Sequence, residues 1–302
     1  MVVLPANSVS LGSDVVRYEM PETVDDATRL MSEEPGVVRL LAGGTDVIVQ
    51  LNSGLVEPDL VIDIKRLPGF GSITEENGGY RIGAAVSCAE MSEHPGLKSQ
   101  WPGVVEAAAL IGSTQIQGRA TIVGNLCNAS PAADSVPALV AADATATIVG
   151  PGGSRDVPVA DIPSGPGQTV LAQSEIIQSI LLPARPDRSA DAYQRLIPRT
   201  EMDIAVVGVG VSVSLDSDGT CTAARMALGA VAETVVLVPE AEDILTGSTL
   251  DTVRMDDLAA AASAACRPID DKRGTIAYRT TVAGVLARRV TTVAFERAGS
   301  RS

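Results

Sequence analysis

The sequence predicts an α+β fold: two unequal lobes followed by a separate α+β unit, spanning residues 1–66, 67–184 and 190–302. Three observations predict it. The first stretch alternates strand and helix patterning within about 45 residues, which implies a small α/β lobe. A longer stretch richer in period-two alternation follows. Pro183 and Pro186, together with the charges of Arg185, Asp187, Arg188 and Asp191, then mark the best boundary before two long apolar strands. At 302 residues the chain also exceeds what one typical core needs.

Each element has a local reason. Val24, Ala27, Leu30 and Met31 fall at helical spacing behind Thr23, with Asp25 and Asp26 in the first turn. Val38–Gly54 reads as a strand, a glycine loop and then a helix or second strand, and Val61–Leu67 as another short strand. In the second lobe a strand at Arg81–Val86 leads to a helix opened by Ser87 with Glu90 in its first turn. Val104–Gly112 is a short apolar helix, Ser135–Ala142 a buried one, and Thr145–Val149 an alternating strand. Glu175–Pro183 ends the lobe as a strand. Beyond the boundary, Asp218-Gly219 joins two long strands as a hairpin. Helices follow at Glu240–Leu245, Met255–Cys266 and Thr280 to about Val293, so the last unit is expected to be a three-stranded antiparallel sheet backed by helices.

Two glycine-centred segments stand out: LLAGGTDVI at Leu40–Ile48 and ATIVGNLCNASPAAD at Ala120–Asp134. Both offer backbone N–H groups beside small side chains, an arrangement that lets a phosphate approach the main chain. Taken alone, Gly43-Gly44 is equally a tight turn, and Asp134 equally an N-cap for the helix that follows.

Charge sharpens this. Lys+Arg 23 against Asp+Glu 37 gives a net charge of −14, with no basic block, which argues against nucleic acid and anionic membranes as partners. A bound phosphate must then be held by local donors. Cys88, Cys127, Cys221 and Cys266 lie far apart and His94 is the only histidine, so neither zinc nor iron–sulfur spacing occurs. Buried thiols are the simpler reading, with Cys127 the one to check against the second segment. The first residues lack a basic, then apolar, leader pattern and no long apolar stretch occurs, so a cytoplasmic protein without membrane insertion is expected.

An ordered series of motifs carries a resemblance. It runs through RYEMPETVDDATRLMSE at Arg17–Glu33, AGGTD at Ala42–Asp46, TIVGN at Thr121–Asn125, NASPAAD at Asn128–Asp134 and SEIIQSILLP at Ser174–Pro183. It continues through Tyr193–Leu215, ARMALGAVAET at Ala224–Thr234 and YRTTVAGVLARR at Tyr278–Arg289. Over nearly its whole length the chain resembles the flavin-binding (medium) subunit of the molybdenum hydroxylases, of the carbon monoxide dehydrogenase and xanthine dehydrogenase type. One position departs: the family usually has TIGGN, and Val123 stands at the first glycine. Either that residue keeps a negative φ, or the flavin phosphate is held differently.

The resemblance implies a two-lobed FAD-binding domain of the PCMH (vanillyl-alcohol-oxidase-like) type, followed by a carbon monoxide dehydrogenase flavoprotein-like C-terminal domain. It implies an oxidoreductase subunit in which FAD passes electrons from iron–sulfur clusters to an external acceptor. Molybdopterin and the 2Fe-2S clusters would sit in a large and a small partner subunit, assembled as a dimer of heterotrimers. By the same resemblance Leu40, Leu41, Ala42, Gly43, Gly44, Thr45, Asp46 and Val47, with Ile111, Thr121, Gly124, Asn125, Asp134, Ile177 and Arg195, contact FAD. Asp134 matches an aspartate that hydrogen-bonds the flavin, Arg195 a basic residue that reaches it, and Asn128 is a further candidate nearby. No side chain is expected to act as an acid or base, because the cofactor carries the chemistry.

Plainer roles stand beside these. Arg195 and Arg199 are also readable as edge charges that pair with Asp203, and Tyr278 as an anchor for the last helix. Few aromatic residues are present to cover a flavin ring, and Tyr193 is the candidate nearest Arg195. Two other functions fit the same residues less well: a stand-alone flavin oxidoreductase, for which His94 is the only histidine, and a scaffold subunit that has lost its flavin.

Overall fold

The computed structural model of the chain describes residues 9–11 and 14–301. The reading of the first residues as leaderless falls largely outside them. The first lobe contains β1 (Val9–Leu11), β2 (Asp14–Glu19), α1 (Val24–Glu33), β3 (Val38–Leu41), α2 (Val47–Asn52) and β4 (Leu60–Asp63). Its sheet runs β1-β2-β4-β3, with β4 parallel to both β2 and β3. Thr23 caps α1 by accepting from the Asp26 N–H, and Ala27 and Met31 turn inward. After the glycine loop the chain forms a helix, not a second strand. β4 is shorter than Val61–Leu67 because Ile64–Leu67 closes a turn.

The second lobe begins with β5 (Ile73–Glu76) and β6 (Gly79–Gly83), then five short helices: α3 (Cys88–Glu93), α4 (Pro95–Gln100), α5 (Pro102–Ala108), α6 (Thr114–Gln117) and α7 (Ile122–Cys127). α8 (Ser135–Ala141), β7 (Thr145–Gly150), β8 (Gly153–Pro158), β9 (Pro163–Gly165), β10 (Gln168–Thr169) and β11 (Ile176–Leu182) complete it. The main sheet is antiparallel in the order β5-β6-β11-β7-β8. Ser87 opens α3 as expected, and it forms a reciprocal capping box with Glu90. Ala146 and Ile148 of β7 are buried, as its alternation requires. β8 is an exposed edge strand that carries no apolar alternation, so pattern alone does not find it.

Two differences follow from capping. The segment around TIVGN is not a loop throughout: α7 occupies Ile122–Cys127, opened by Thr121, whose hydroxyl accepts from Gly124 N–H at 2.9 Å. Asp134 stands at the cap position of α8 but makes no capping bond. Asn125 does that work from a neighbouring helix, its Oδ1 accepting from Ser135 N–H at 3.1 Å and from the Ser135 hydroxyl at 2.7 Å.

The last unit is built on β12 (Ser189–Leu196), β13 (Val207–Leu215), β14 (Cys221–Gly229) and β15 (Val236–Leu237), an antiparallel sheet of four strands and not the expected three. The additional strand has two residues, too few to show a period. Asp216 Oδ1 accepts from Asp218 and Thr220 N–H at the β13–β14 turn, and Gly219 takes φ +83°. α9 (Glu240–Leu245), α10 (Thr252–Ala265) and α11 (Ile276–Gly299) complete the unit. α11 continues past Val293 because Ala294, Phe295 and Ala298 keep its inner face buried.

One buried cation ties α11 to that sheet. Arg279 is 4% exposed; its Nη1 donates to the carbonyls of Val206 (2.7 Å) and Ala230 (3.2 Å), and its Nη2 to Asp271 (2.7 Å). Arg279→Met preserves much of the bulk but leaves these acceptors unpaired. It is expected to lower the unfolding free energy by about 2–4 kcal/mol, measured by denaturant titration.

Candidate functional site

The loop after β3 and the segment from Ala120 to Asn128 face each other across a cavity of about 580 Å³. Their convergence is a backbone contact. A Cβ placed on Gly43 would overlap the carbonyl oxygen of Arg119 and crowd the Ala120 nitrogen, so the two walls touch only because Gly43 has no side chain. Gly44 adopts φ +77° and turns the chain into α2. Between that turn and the helix, the N–H groups of Gly43, Gly44, Thr45, Asp46 and Val47 find no acceptor among the described residues. At the start of α7 the amides of Ile122 and of the wall residue Val123 are likewise unengaged. Asn125 binds Ser135 through its oxygen, which leaves its NH2 group without a partner among the described residues.

Of the fifteen residues singled out from the sequence, twelve line this cavity: Leu40, Ala42, Gly43, Gly44, Thr45, Asp46, Val47, Ile111, Thr121, Gly124, Asn125 and Ile177. Three do not. Leu41 packs below the loop, its side chain near Gly44. Asp134 is 8% exposed, and its carboxylate accepts from Tyr193 Oη at 3.1 Å and from Arg195 Nη1 at 2.5 Å. Burial raises the Asp134 carboxyl to about 6, against the opposing pull of Arg195 and the Tyr193 hydroxyl. Arg195 and Tyr193 are thus partners of Asp134, and neither lines the cavity. Tyr193 is 3% exposed, so ring shielding is not its place in this structure.

The plainer roles can be assigned. Arg199 pairs with Asp203 at 3.2 Å. Tyr278 lies half-exposed in the first turn of α11 and is absent from the cavity wall. His94 caps α4 through Nδ1 and meets the Tyr80 ring edge-on. Cys127 does line the cavity, whereas Cys88, Cys221 and Cys266 are buried free thiols.

Sequence reasoning missed Arg39, Gln50, Leu55, Val56, Leu171 and Ile176, all on the wall. Arg39 carries the only positive charge there, and its guanidinium meets no carboxylate among the described residues. The signal was one polar residue inside an apolar strand, at Val38–Leu41.

Comparison with known proteins decides the family. Residues 14–185 match the family described as FAD binding domain in molybdopterin dehydrogenase, and residues 192–294 match the CO dehydrogenase flavoprotein C-terminal domain. The chain belongs to the FAD-binding medium subunits of the molybdenum hydroxylases. It is 31% identical to the carbon monoxide dehydrogenase medium chain of Hydrogenophaga pseudoflava, over 93% of this chain and 97% of that one. It is 33% identical to the nicotinate dehydrogenase FAD-subunit of Eubacterium barkeri, over 78% of this chain and 81% of that one. A solved Hydrogenophaga pseudoflava carbon monoxide dehydrogenase that lacks the Mo-pyranopterin moiety superposes with a TM-score of 0.89, at 31% identity, covering 93% of this chain and 98% of that one.

The cavity of this FAD-binding subunit suits the cofactor. Unpaired amides from two walls match a pyrophosphate, apolar Leu40, Ile111 and Ile177 match a flat ring or adenine, and the volume lies within the usual range for small-ligand sites. Val123 poses no obstacle: it sits inside α7 and is not among the residues with positive φ.

Gly124 separates fold from binding. An added Cβ would meet only the Thr121 hydroxyl, at 2.9 Å, but would stand on the cavity wall. Gly124→Val is expected to reduce FAD affinity by about tenfold or more, while the melting temperature of the apo chain moves by a few degrees at most. The assays are FAD released per chain and calorimetry.

Proposed function

We propose that the twelve cavity residues hold FAD, with its pyrophosphate between the loop after β3 and the start of α7. The observation that carries this is the convergence of unpaired amides from two segments far apart in sequence onto one cleft. When bound, FAD supplies the redox chemistry, taking electrons from iron–sulfur clusters and giving them to an external acceptor. This chain's residues bind and orient it. Gly43 and Gly44 bring main-chain donors close, Asn125 offers its NH2 group, and Ile111 and Ile177 form apolar wall. The paired Asp134 and Arg195 brace β12 against the base of α8.

The partners are a small iron–sulfur subunit and a large molybdopterin subunit, in a dimer of heterotrimers. The relatives support this by name: one is a medium chain, and another, 31% identical, is subunit alpha of the 6-hydroxypseudooxynicotine dehydrogenase complex of Paenarthrobacter nicotinovorans. Four unpaired cysteines suit a cytoplasmic setting, and no helix among the described residues is long and apolar enough to cross a membrane. The division into FAD lobes 1–66 and 67–184 and a C-terminal domain 190–302 is supported by the three main sheets, each formed by strands from one of these stretches or within a residue of it.

Arg39 is the local charge that an acidic chain needs for this ligand. Arg39→Gln is expected to weaken FAD binding about tenfold and to flatten its dependence on ionic strength, measured by FAD titration at two salt concentrations. At the level of the assembly, the purified chain should be yellow and release FAD on denaturation. Its flavin should be reduced by a hydroxylase substrate only when both partner subunits are present. Reduction by substrate with this chain alone would contradict the middle-subunit role.

A further inference from the structure

The two walls of the cleft meet a second time, away from Gly43. Gln50 Nε2 on α2 donates to Asn128 Oδ1 at the end of α7, at 3.4 Å, and both residues line the cavity. The two contacts differ in kind. At Gly43, backbone is pressed on backbone, anchored through β3 to the sheet of the first lobe. At Gln50, one long, neutral hydrogen bond joins two partly exposed side chains that make no other hydrogen bond among the described residues.

α2 is itself weakly held. None of its residues is buried, and Ile48 and Val49 stand 50% and 63% exposed. Glycines in the left-handed region lie just outside both ends: Gly44 at φ +77° and Gly54 at φ +67°, the latter with open space where a Cβ would be. A short rigid element between two permissive joints, latched by a single bond on its inner side, has the construction of a flap.

We propose that α2 is a hinged flap over the FAD cleft, and that the Gln50–Asn128 hydrogen bond is its latch, setting how fast FAD enters and leaves. The proposal rests on the cleft being the FAD site. A latch that bonds one wall to the other without contacting the cofactor alters both rates in the same direction and leaves their ratio nearly unchanged, whereas a residue that grips the cofactor changes mainly the release rate.

The test is stopped-flow fluorescence on the full chain, following free FAD emission during uptake and during release into excess apoprotein trap. Gln50→Ala is expected to accelerate uptake and release several-fold each, with the dissociation constant within about twofold of the wild type. Asn128→Ala, on the other wall, should reproduce this, and the double variant should go no further, because one bond is removed in all three. Unchanged rates with FAD bound would overturn the flap alone. Faster release with unchanged uptake would also overturn it, by making these residues cofactor contacts. A wild-type chain that takes up no FAD would overturn the flap and the cofactor site together.

Discussion

The site depends on one close approach, the backbone of Gly43 against that of Arg119 and Ala120. Everything that makes the cleft chemically useful follows from it. The loop after β3 belongs to a small mixed sheet, while α7 belongs to the antiparallel lobe, and nothing in either element alone gathers donors around one ligand. With no side chain between them, the amides following Gly43 face those that open α7 across a space of ligand size. A methyl group at Gly43 would act as a wedge, and the loss would fall on the geometry between lobes, not on the stability of either.

A second constraint fixes the C-terminal unit to the larger lobe, and it is made of charges. Asp191 at the start of β12 is 2% exposed; it accepts from Val104 N–H at the first turn of α5 and from Arg185 Nη1, whose guanidinium lies 4.0 Å from the Trp101 ring centroid. From α11, Arg297 reaches Glu106 and the Asp191 carbonyl, and just past the end of that helix Arg301 reaches carbonyls of Ser99 and Ser189. Together with the Asp134–Arg195 pair, these bonds cross between units at several points. Buried ion pairs contribute little net stability compared with apolar packing. They do impose direction: each guanidinium has one arrangement that satisfies its acceptors, so the units meet in one orientation.

Much of this was legible in the sequence, for reasons that vary by element. The caps at Thr23 and Ser87 are local interactions between residues three apart, so the sequence alone locates those helix starts. The paired glycine segments were visible because glycine beside small polar residues opens the main chain to close approach, although Gly43-Gly44 alone reads equally as a tight turn. What failed was non-local. Nothing near Asp134 reveals that Asn125 caps α8 and leaves the aspartate to Tyr193 and Arg195, some sixty residues away. Asp134 and Arg195, which the resemblance implies at the cofactor, pair with each other, a contact between residues far apart that spacing does not encode. Gln50 was missed for a similar reason: a polar residue in a short, mostly apolar helix looks like an ordinary surface position until its partner at Asn128 is seen.

An acidic protein that holds a doubly charged anion poses an electrostatic problem, and the cleft shows how it is resolved. The net charge of −14 is spread over the molecule, and at physiological ionic strength charges beyond about 8 Å are largely screened. What governs the ligand is therefore the inventory within that radius. Asp46 is the one carboxylate on the cavity wall, opposed there by Arg39. Asp63, close behind the loop, is neutralised by Lys65 at 2.7 Å: burial works to raise its carboxyl, but the Lys65 ammonium and the Tyr18 hydroxyl hold it below its ordinary value. Lys65 also donates to the Ala42 carbonyl, placing a positive charge beside the loop that carries the free amides. The near field is thus built from dipoles and one or two well-placed cations, which is why the sign of the whole chain does not predict the sign of its ligand.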